Sequence, residues 1–323
     1  MRIEGTGSAL PDTVLSAGAI DARLGKAAGW TLAASGVALR HVMTTGTQID
    51  LAVAAARAAL DDAGCAACQI DLIVSACGIP YQTLPATAPL VQRGLGVPDG
   101  AVATIDVNAT CLSFLAALEM VDALIKSGRY RRALIVSADI ASRALPWADQ
   151  PEVAALFGDG AAAAVVGPGA GLRASRLRSY PSAYSACEIG AGGTRFDFAT
   201  ERQAFEAHAQ FRMDGKVLFR LTAQHFAGFV TELLAEAGLT RDQIDLVVPH
   251  QASPGALQHM IRLCGFDPAK VVNIAAEVGN QIAASIPFAL DHARRSGRLA
   301  PGATVLLLGT SAGVSFGGLV MEV

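Results

Sequence analysis

The sequence is short of charge. Asp, Glu, Lys and Arg make up 16% of its 323 residues, the formal net charge is −3, and no basic run stands out. That excludes the strong positive field on which binding to nucleic acid or an anionic membrane rests, and leaves small or protein-borne molecules as the expected substrates. No apolar run reaches the ~18 residues of a membrane span. The opening residues, MRIEGTGSAL, have neither the charged n-region nor the long apolar h-region of a secretory signal. A cytoplasmic protein with no nucleic-acid or membrane partner is expected. Six cysteines are too few for a disulfide framework in so long a chain, and in a reducing compartment they are expected to be free thiols. Cys65 and Cys68 form a C-x-x-C, but no second pair stands at zinc spacing and the pair follows a helix instead of opening one. Neither a metal site nor a dithiol redox centre is expected there.

What the chain does have is apolar substance, 52% of its residues, in an alternation of strand and helix. Ile49 to Ala63 reads as an amphipathic helix stopped by Gly64. Asp71 to Cys77 (DLIVSAC) and Arg132 to Ser137 (RALIVS) are continuous apolar runs, the pattern of strands buried on both faces. Phe157 to Val166 (FGDGAAAAVV) adds another after a glycine turn, with Asp159 as a turn residue, and GPGAG at Gly167 to Gly171 is the clearest linker. The pattern then begins again. QIDLVV at Gln243 repeats QIDLIV at Gln69, and LDHARRSGR at Leu290 echoes VDALIKSGR at Val121. A repeat this long marks two duplicated βα halves, 1–169 and 170–323.

The duplication organises the chemistry. Cys111 lies where a strand (Val102 to Val107) hands over to a helix, a place where free N–H groups and the helix dipole are expected to favour thiolate. Aligning Ser127 with Ser296 carries Cys111 onto Asn280, so both are expected to start helices at the carboxyl ends of strands and to face one shared site. His250, just past the QIDLVV strand, stands at the same edge. The other histidines, His41, His208, His225, His259 and His292, have no partner pattern and are expected to be structural or superficial.

The motifs DVNATCLSFLAAL at Cys111, FGDGAAAAV, VVPHQA at His250, GNQIAASIP at Asn280 and the N-terminal GTGSALP resemble those of the thiolase superfamily, most closely the beta-ketoacyl-acyl-carrier-protein synthase III family. The resemblance implies an α/β, thiolase-like fold with a duplicated five-layered α/β/α/β/α core, a homodimer built through the first-half sheet, and no resident cofactor. It implies an acyltransferase: Cys111 is acylated by a coenzyme A or carrier-protein phosphopantetheine thioester, then condenses with a malonyl thioester as CO2 leaves. His250 and Asn280 are implied as donors to the second thioester carbonyl, and the backbone N–H groups of Cys111 and Ala312 as the oxyanion hole. Trp30, Leu84, Phe219 and Ser253 fall at substrate-binding positions, and Arg220 and Arg262 at positions that dock an acyl carrier protein. The alternative within the family is a specialised relative of secondary metabolism that moves the acyl group to oxygen, nitrogen or another carbon nucleophile.

The chain departs from the family where coenzyme A phosphates are gripped. Ala34 takes the place of an arginine, Asp149 to Val153 (DQPEV) lacks a basic residue, and Ser253 and Gly255 replace asparagine and arginine after the histidine motif. A weaker hold on coenzyme A and delivery of the donor on a carrier protein are therefore expected. Leu84, in place of phenylalanine, is expected to make a smaller gate that admits longer acyl chains.

Overall fold

The computed structural model describes residues 1–323. In chain order, the elements that carry the site are β1 (Arg2–Ala9), α1 (Gln48–Asp62), β2 (Leu72–Ser75), α2 (Ala88–Leu95), β3 (Ala103–Asp106), α3 (Ser113–Lys126), β4 (Ala133–Asp139), β5 (Gly160–Gly167), β6 (Leu172–Ser179), α4 (Gly215–Ala237), β7 (Leu246–Pro249), α5 (Pro254–Cys264), α6 (Ser285–Arg295), β8 (Thr304–Ser311) and β9 (Ser315–Glu322). Two mixed sheets result, ordered β1-β5-β4-β2-β3 and β7-β8-β9-β6. In both, helix-linked strands run parallel on one side and two antiparallel strands close the other, and only β8 and β9 are joined by a tight hairpin. The strands of the first sheet all precede the 168–171 linker and those of the second all follow it.

The layers follow from which strand faces are apolar. β4 and β5 are buried along their whole length, so both of their faces need a cover. α1 and α2 cover the outer face of the first sheet, α3 and α6 fill the space between the sheets, and α4 and α5 cover the outer face of the second. The order helix, sheet, helix, sheet, helix is the five-layered core. Its centre is a cluster of 31 buried apolar residues that joins β1, β2 and β5 to α3, α6, β7 and β8. At about 1.5–3 kcal/mol for each fully buried Leu, Ile or Phe, this shared core holds the halves together far more firmly than any surface ion pair. Thr47 caps α1 with a reciprocal pair of bonds to Asp50, at 3.2 and 2.8 Å.

The repeat is real but its register differs from the one taken from the sequence. The turn Asn108–Ser113 matches Asn280–Ser285 in two hydrogen bonds and one backbone angle. Thr110 N–H donates to Asn108 Oδ1 at 2.9 Å, and Ile282 N–H to Asn280 Oδ1 at 2.8 Å. Ala109 N–H donates to Ser113 Oγ at 3.0 Å, and Gln281 N–H to Ser285 Oγ at 3.1 Å. Thr110 and Ile282 are the only non-glycine residues at positive φ, 52° and 53°. Asn280 is thus the counterpart of Asn108, and the counterpart of Cys111 is Ala283. The slip has a simple cause. α3 is 14 residues long and α6 only 11, so aligning their carboxyl-terminal SGR segments misplaces their starts.

Candidate active site

Cys111 sits in a single 3₁₀ turn, Thr110–Leu112, between β3 and α3. The turn holds threonine in the left-handed region, where a β-branched residue is strained by roughly 1–3 kcal/mol and stays only because its surroundings over-determine it. Asn108 and Ser113 supply that constraint. The turn sets the half-buried sulfur in the cavity wall, where the N–H groups of Cys111 itself and of Ala312 favour its charged form. Burial nevertheless pushes the thiol well above its ordinary range, and the two N–H groups only partly oppose it. This corrects the expectation of a resting thiolate. α3 begins at Ser113, past the cysteine, and desolvation outweighs the dipole. Alkylation of Cys111 by iodoacetamide is therefore expected to keep accelerating through pH 9, because below a raised pKa the thiolate fraction grows about tenfold per pH unit. A plateau near pH 7 would contradict it.

His250 follows β7, its N–H tied to Leu308 O at 2.7 Å. The residue is 5% exposed. Burial pushes the imidazole down to about 4, so it is neutral at physiological pH. Nδ1 is buried without a partner, which leaves Nε2 as the ring nitrogen open to the cavity. Gly309 makes room for the ring: a Cβ there would stand 2.8 Å from His250 Cβ and 3.2 Å from Leu112 Cδ2.

Asn280 accepts from Ile282 N–H and reaches Ala252 O with Nδ2 at 3.4 Å, a long contact that leaves the amide free to donate elsewhere. Its backbone is bound to the FGDG segment, with Asn280 N–H to Leu156 O at 2.8 Å and Gly158 N–H to Asn280 O at 3.1 Å. Gly158 and Gly160 permit this approach, since a Cβ at either would lie 2.2 Å from Val278 O or Gln281 Nε2. The motif is therefore a cradle for the second-half turn as well as the entry to β5. Asp159 is structural, accepting from Met43 N–H and from Ser142 N–H and Oγ.

Cys111, His250, Asn280 and Ala312 line one cavity of about 1030 Å³. Ala312 has ordinary backbone angles, and the left-handed residue of its loop is Gly313 at φ 115°, so alanine is no obstacle there. Phe219 and Ser253 also line the cavity. Ser253 is at the same time the N-cap of α5. Trp30 stands outside it under Lys26, and Leu84 projects into solvent, 84% exposed, although its neighbours Gln82 and Thr83 are in the wall. Arg220 and Arg262 are exposed on α4 and α5, outside the cavity. His259 was expected to be structural, yet it lies in the wall with its ring 4.5 Å from that of Phe219. Cys187 and Glu188, from a short ribbon paired with Arg212–Met213, were missed altogether because nothing in their local sequence marks them. Glu188 is the one carboxylate in the wall and is paired with Arg195 at 3.0 Å. No lysine or arginine lines the cavity.

A family model described as 3-oxoacyl-[acyl-carrier-protein (ACP)] synthase III matches residues 105–181, and the model of its C-terminal part matches 234–323. The beta-ketoacyl-[acyl-carrier-protein] synthase III of Rhodospirillum rubrum is 39% identical, over 99% of this chain and 98% of the relative. Among solved structures, the 3-oxoacyl-(acyl carrier protein) synthase III of Pseudomonas aeruginosa PAO1 superposes with a TM-score of 0.88 at 33% identity, covering 99% of this chain and 97% of the other. The priming beta-ketosynthase of the R1128 polyketide pathway reaches 0.91 at 27% identity, over 100% and 96% of the two chains. By fold, motifs and full-length similarity, the chain belongs to the 3-oxoacyl-[acyl-carrier-protein] synthase III family of thiolase-like condensing acyltransferases.

Proposed function

We propose that Cys111 is the acyl carrier of the reaction and that His250 and Asn280 activate the extender. The observation that carries this is the convergence on one cavity of a thiol backed by two N–H groups and two neutral polar side chains from the opposite half. In the first step Cys111 sulfur attacks an acyl thioester, its proton passes to the leaving thiolate, and the carbonyl oxygen is held by the N–H groups of Cys111 and Ala312. In the second, a malonyl thioester loses CO2. The enolate oxygen accepts from His250 and Asn280, and the carbanion attacks the acyl-cysteine, forming a carbon-carbon bond and expelling the Cys111 thiolate, which takes a proton from solvent. An imidazole pushed down to about 4 suits a hydrogen-bond donor. It is too weak a base to activate an alcohol or amine, which favours condensation over transfer to oxygen or nitrogen.

On this reading residues 1–169 carry the nucleophile and 170–323 its activating groups, and the enzyme needs no cofactor beyond its thioester substrates. The cation-free wall favours a donor carried on an acyl carrier protein over free coenzyme A, with Arg220 and Arg262 receiving the acidic carrier. The first-half sheet ends at β3, where Ile105 is 36% exposed, and this edge together with Leu84 suits a homodimer. The experiment is intact-mass detection of an acyl group on Cys111 after exposure to matched coenzyme A and carrier thioesters, followed by malonyl-carrier and measurement of CO2. Efficient, saturable turnover of acetyl-coenzyme A would sink the carrier-donor part; acylation without CO2 release would sink condensation.

The packing of Gly309 gives a further expectation. Gly309→Ala pushes on His250 and Leu112 without altering any reacting group. Displacement of a reacting group by about 1 Å can lower the rate roughly 100-fold, so a loss of at least about tenfold in CO2 release is expected, with the thermal midpoint checked alongside. A variant with unchanged turnover would show that the position of His250 does not matter.

A further inference from the structure

Behind the cavity, at the end of β4, lies a carboxylate that the reaction scheme does not use. Asp139 is fully buried. Its partners are backbone N–H groups: Ile79 to Oδ1 at 2.7 Å, and Gly78 and Ala283 to Oδ2 at 3.2 and 3.0 Å. Burial pushes its acid up to about 7 while these N–H groups, with that of Ala284, hold it down. The corrected register gives the arrangement its meaning. Ala283 is the counterpart of Cys111, and the two turns share their asparagine cap, serine bond and left-handed residue. In the first turn the N–H of residue 111 points to its own sulfur, where a substrate oxyanion is to form. In the second turn the equivalent N–H is already occupied by Asp139.

We propose that Asp139 is a positioning residue for condensation: its carboxylate fills, in the second turn, the anion position that substrate takes in the first, and so fixes the turn that aims Asn280. The duplicated nucleophile turn has in this way become a scaffold. Asp139 pulls it from one side, and Gly158 and Gly160 admit it from the other. The same carboxylate holds Gly78, whose missing Cβ would lie 2.4 Å from Ile282 Cγ2, so the loop after β2 and the second-half turn are clamped together. The turn of Cys111 meets this clamp at Gly78, whose carbonyl accepts from Asn108 Nδ2 at 3.3 Å, but does not rest on it alone, because Ser113 Oγ donates to Thr110 O within the turn at 2.6 Å.

The proposal rests on the function given above, and its test separates the two half-reactions. Asp139→Asn keeps the shape but turns one acceptor into a donor facing N–H groups. CO2 release from a malonyl thioester is expected to fall at least about tenfold, while acylation of Cys111, followed by intact mass, stays within about threefold. A purely structural role would lower both rates together with the folded fraction, read by circular dichroism. Should Asp139→Asn fail to fold, Gly160→Ala, which displaces Gln281 in the same turn without touching the carboxylate, must show the same split. Parallel loss of both half-reactions, or no loss, in a folded variant overturns the positioning role. A wild-type enzyme that neither acylates Cys111 nor releases CO2 would instead remove the function itself, and the proposal with it.

Discussion

Cys111→Ala is expected to carry no acyl group and to lose condensation by roughly 10⁴-fold or more, since the covalent route disappears with the sulfur. Cys111→Ser is expected to fare little better. A hydroxyl gives up its proton far less readily than even a buried thiol, and His250, pushed down to about 4, is too weak a base to help. Cys187 makes the test sharper because it lines the same cavity. Burial pushes that thiol up as it does the thiol of Cys111, so the difference lies in placement: Cys187 sits in a two-residue strand, with no turn N–H groups acting on its sulfur. Peptide mapping after exposure to an acyl thioester is therefore expected to find the adduct on Cys111 alone. An adduct that persists on Cys187 in Cys111→Ala, together with retained turnover, would move the nucleophile and overturn the proposed function.

Much of the architecture was legible because it is written in local periods. Continuous apolar runs placed β2, β4 and β7, and Gly64 marked the end of α1. The duplication was also readable, as was the grouping of Cys111, His250 and Asn280 on one cavity. What was misread depends on contacts between halves. The register of the repeat slipped because α6 is shorter than α3, 11 residues against 14, and nothing in the apolar pattern of a helix marks residues that are missing from it. The ionisation of Cys111 was misjudged because a helix start is visible in sequence and desolvation is not. FGDG looked like a turn because the residues it nearly touches, Val278 and Gln281, are more than a hundred positions away. Asp139 carried no signal at all: an acidic residue at a strand end reads as solvated, and only the fold surrounds it with N–H groups.

Asn280 can be asked directly whether it donates or merely caps. Its Oδ1 accepts from Ile282 N–H, which a carboxylate oxygen can also do, while Nδ2 is the one atom of this side chain able to donate to an enolate. Asn280→Asp therefore preserves the turn and removes the donor. If the residue were only a cap, the variant would keep its activity. The expected result is the opposite: CO2 release falls by about 10²–10³-fold, the usual effect of losing one oxyanion donor, and falls further than in Asn280→Ala because a carboxylate repels the enolate it faces. Acylation of Cys111 is expected to stay within a few fold, since in the proposed scheme its oxyanion is held by the N–H groups of residues 111 and 312. His250→Ala is expected to show the same split, and in the wild-type enzyme the histidine sets the acid limit. With its imidazole pushed down to about 4, protonation begins to disturb the site only as pH falls toward 4, so CO2 release is expected to show no imidazole-dependent fall between pH 8 and 5. A break near pH 6.5 that vanishes in His250→Ala would mean that the ring is solvated during turnover and that the dry, neutral donor pair is the wrong description of the site.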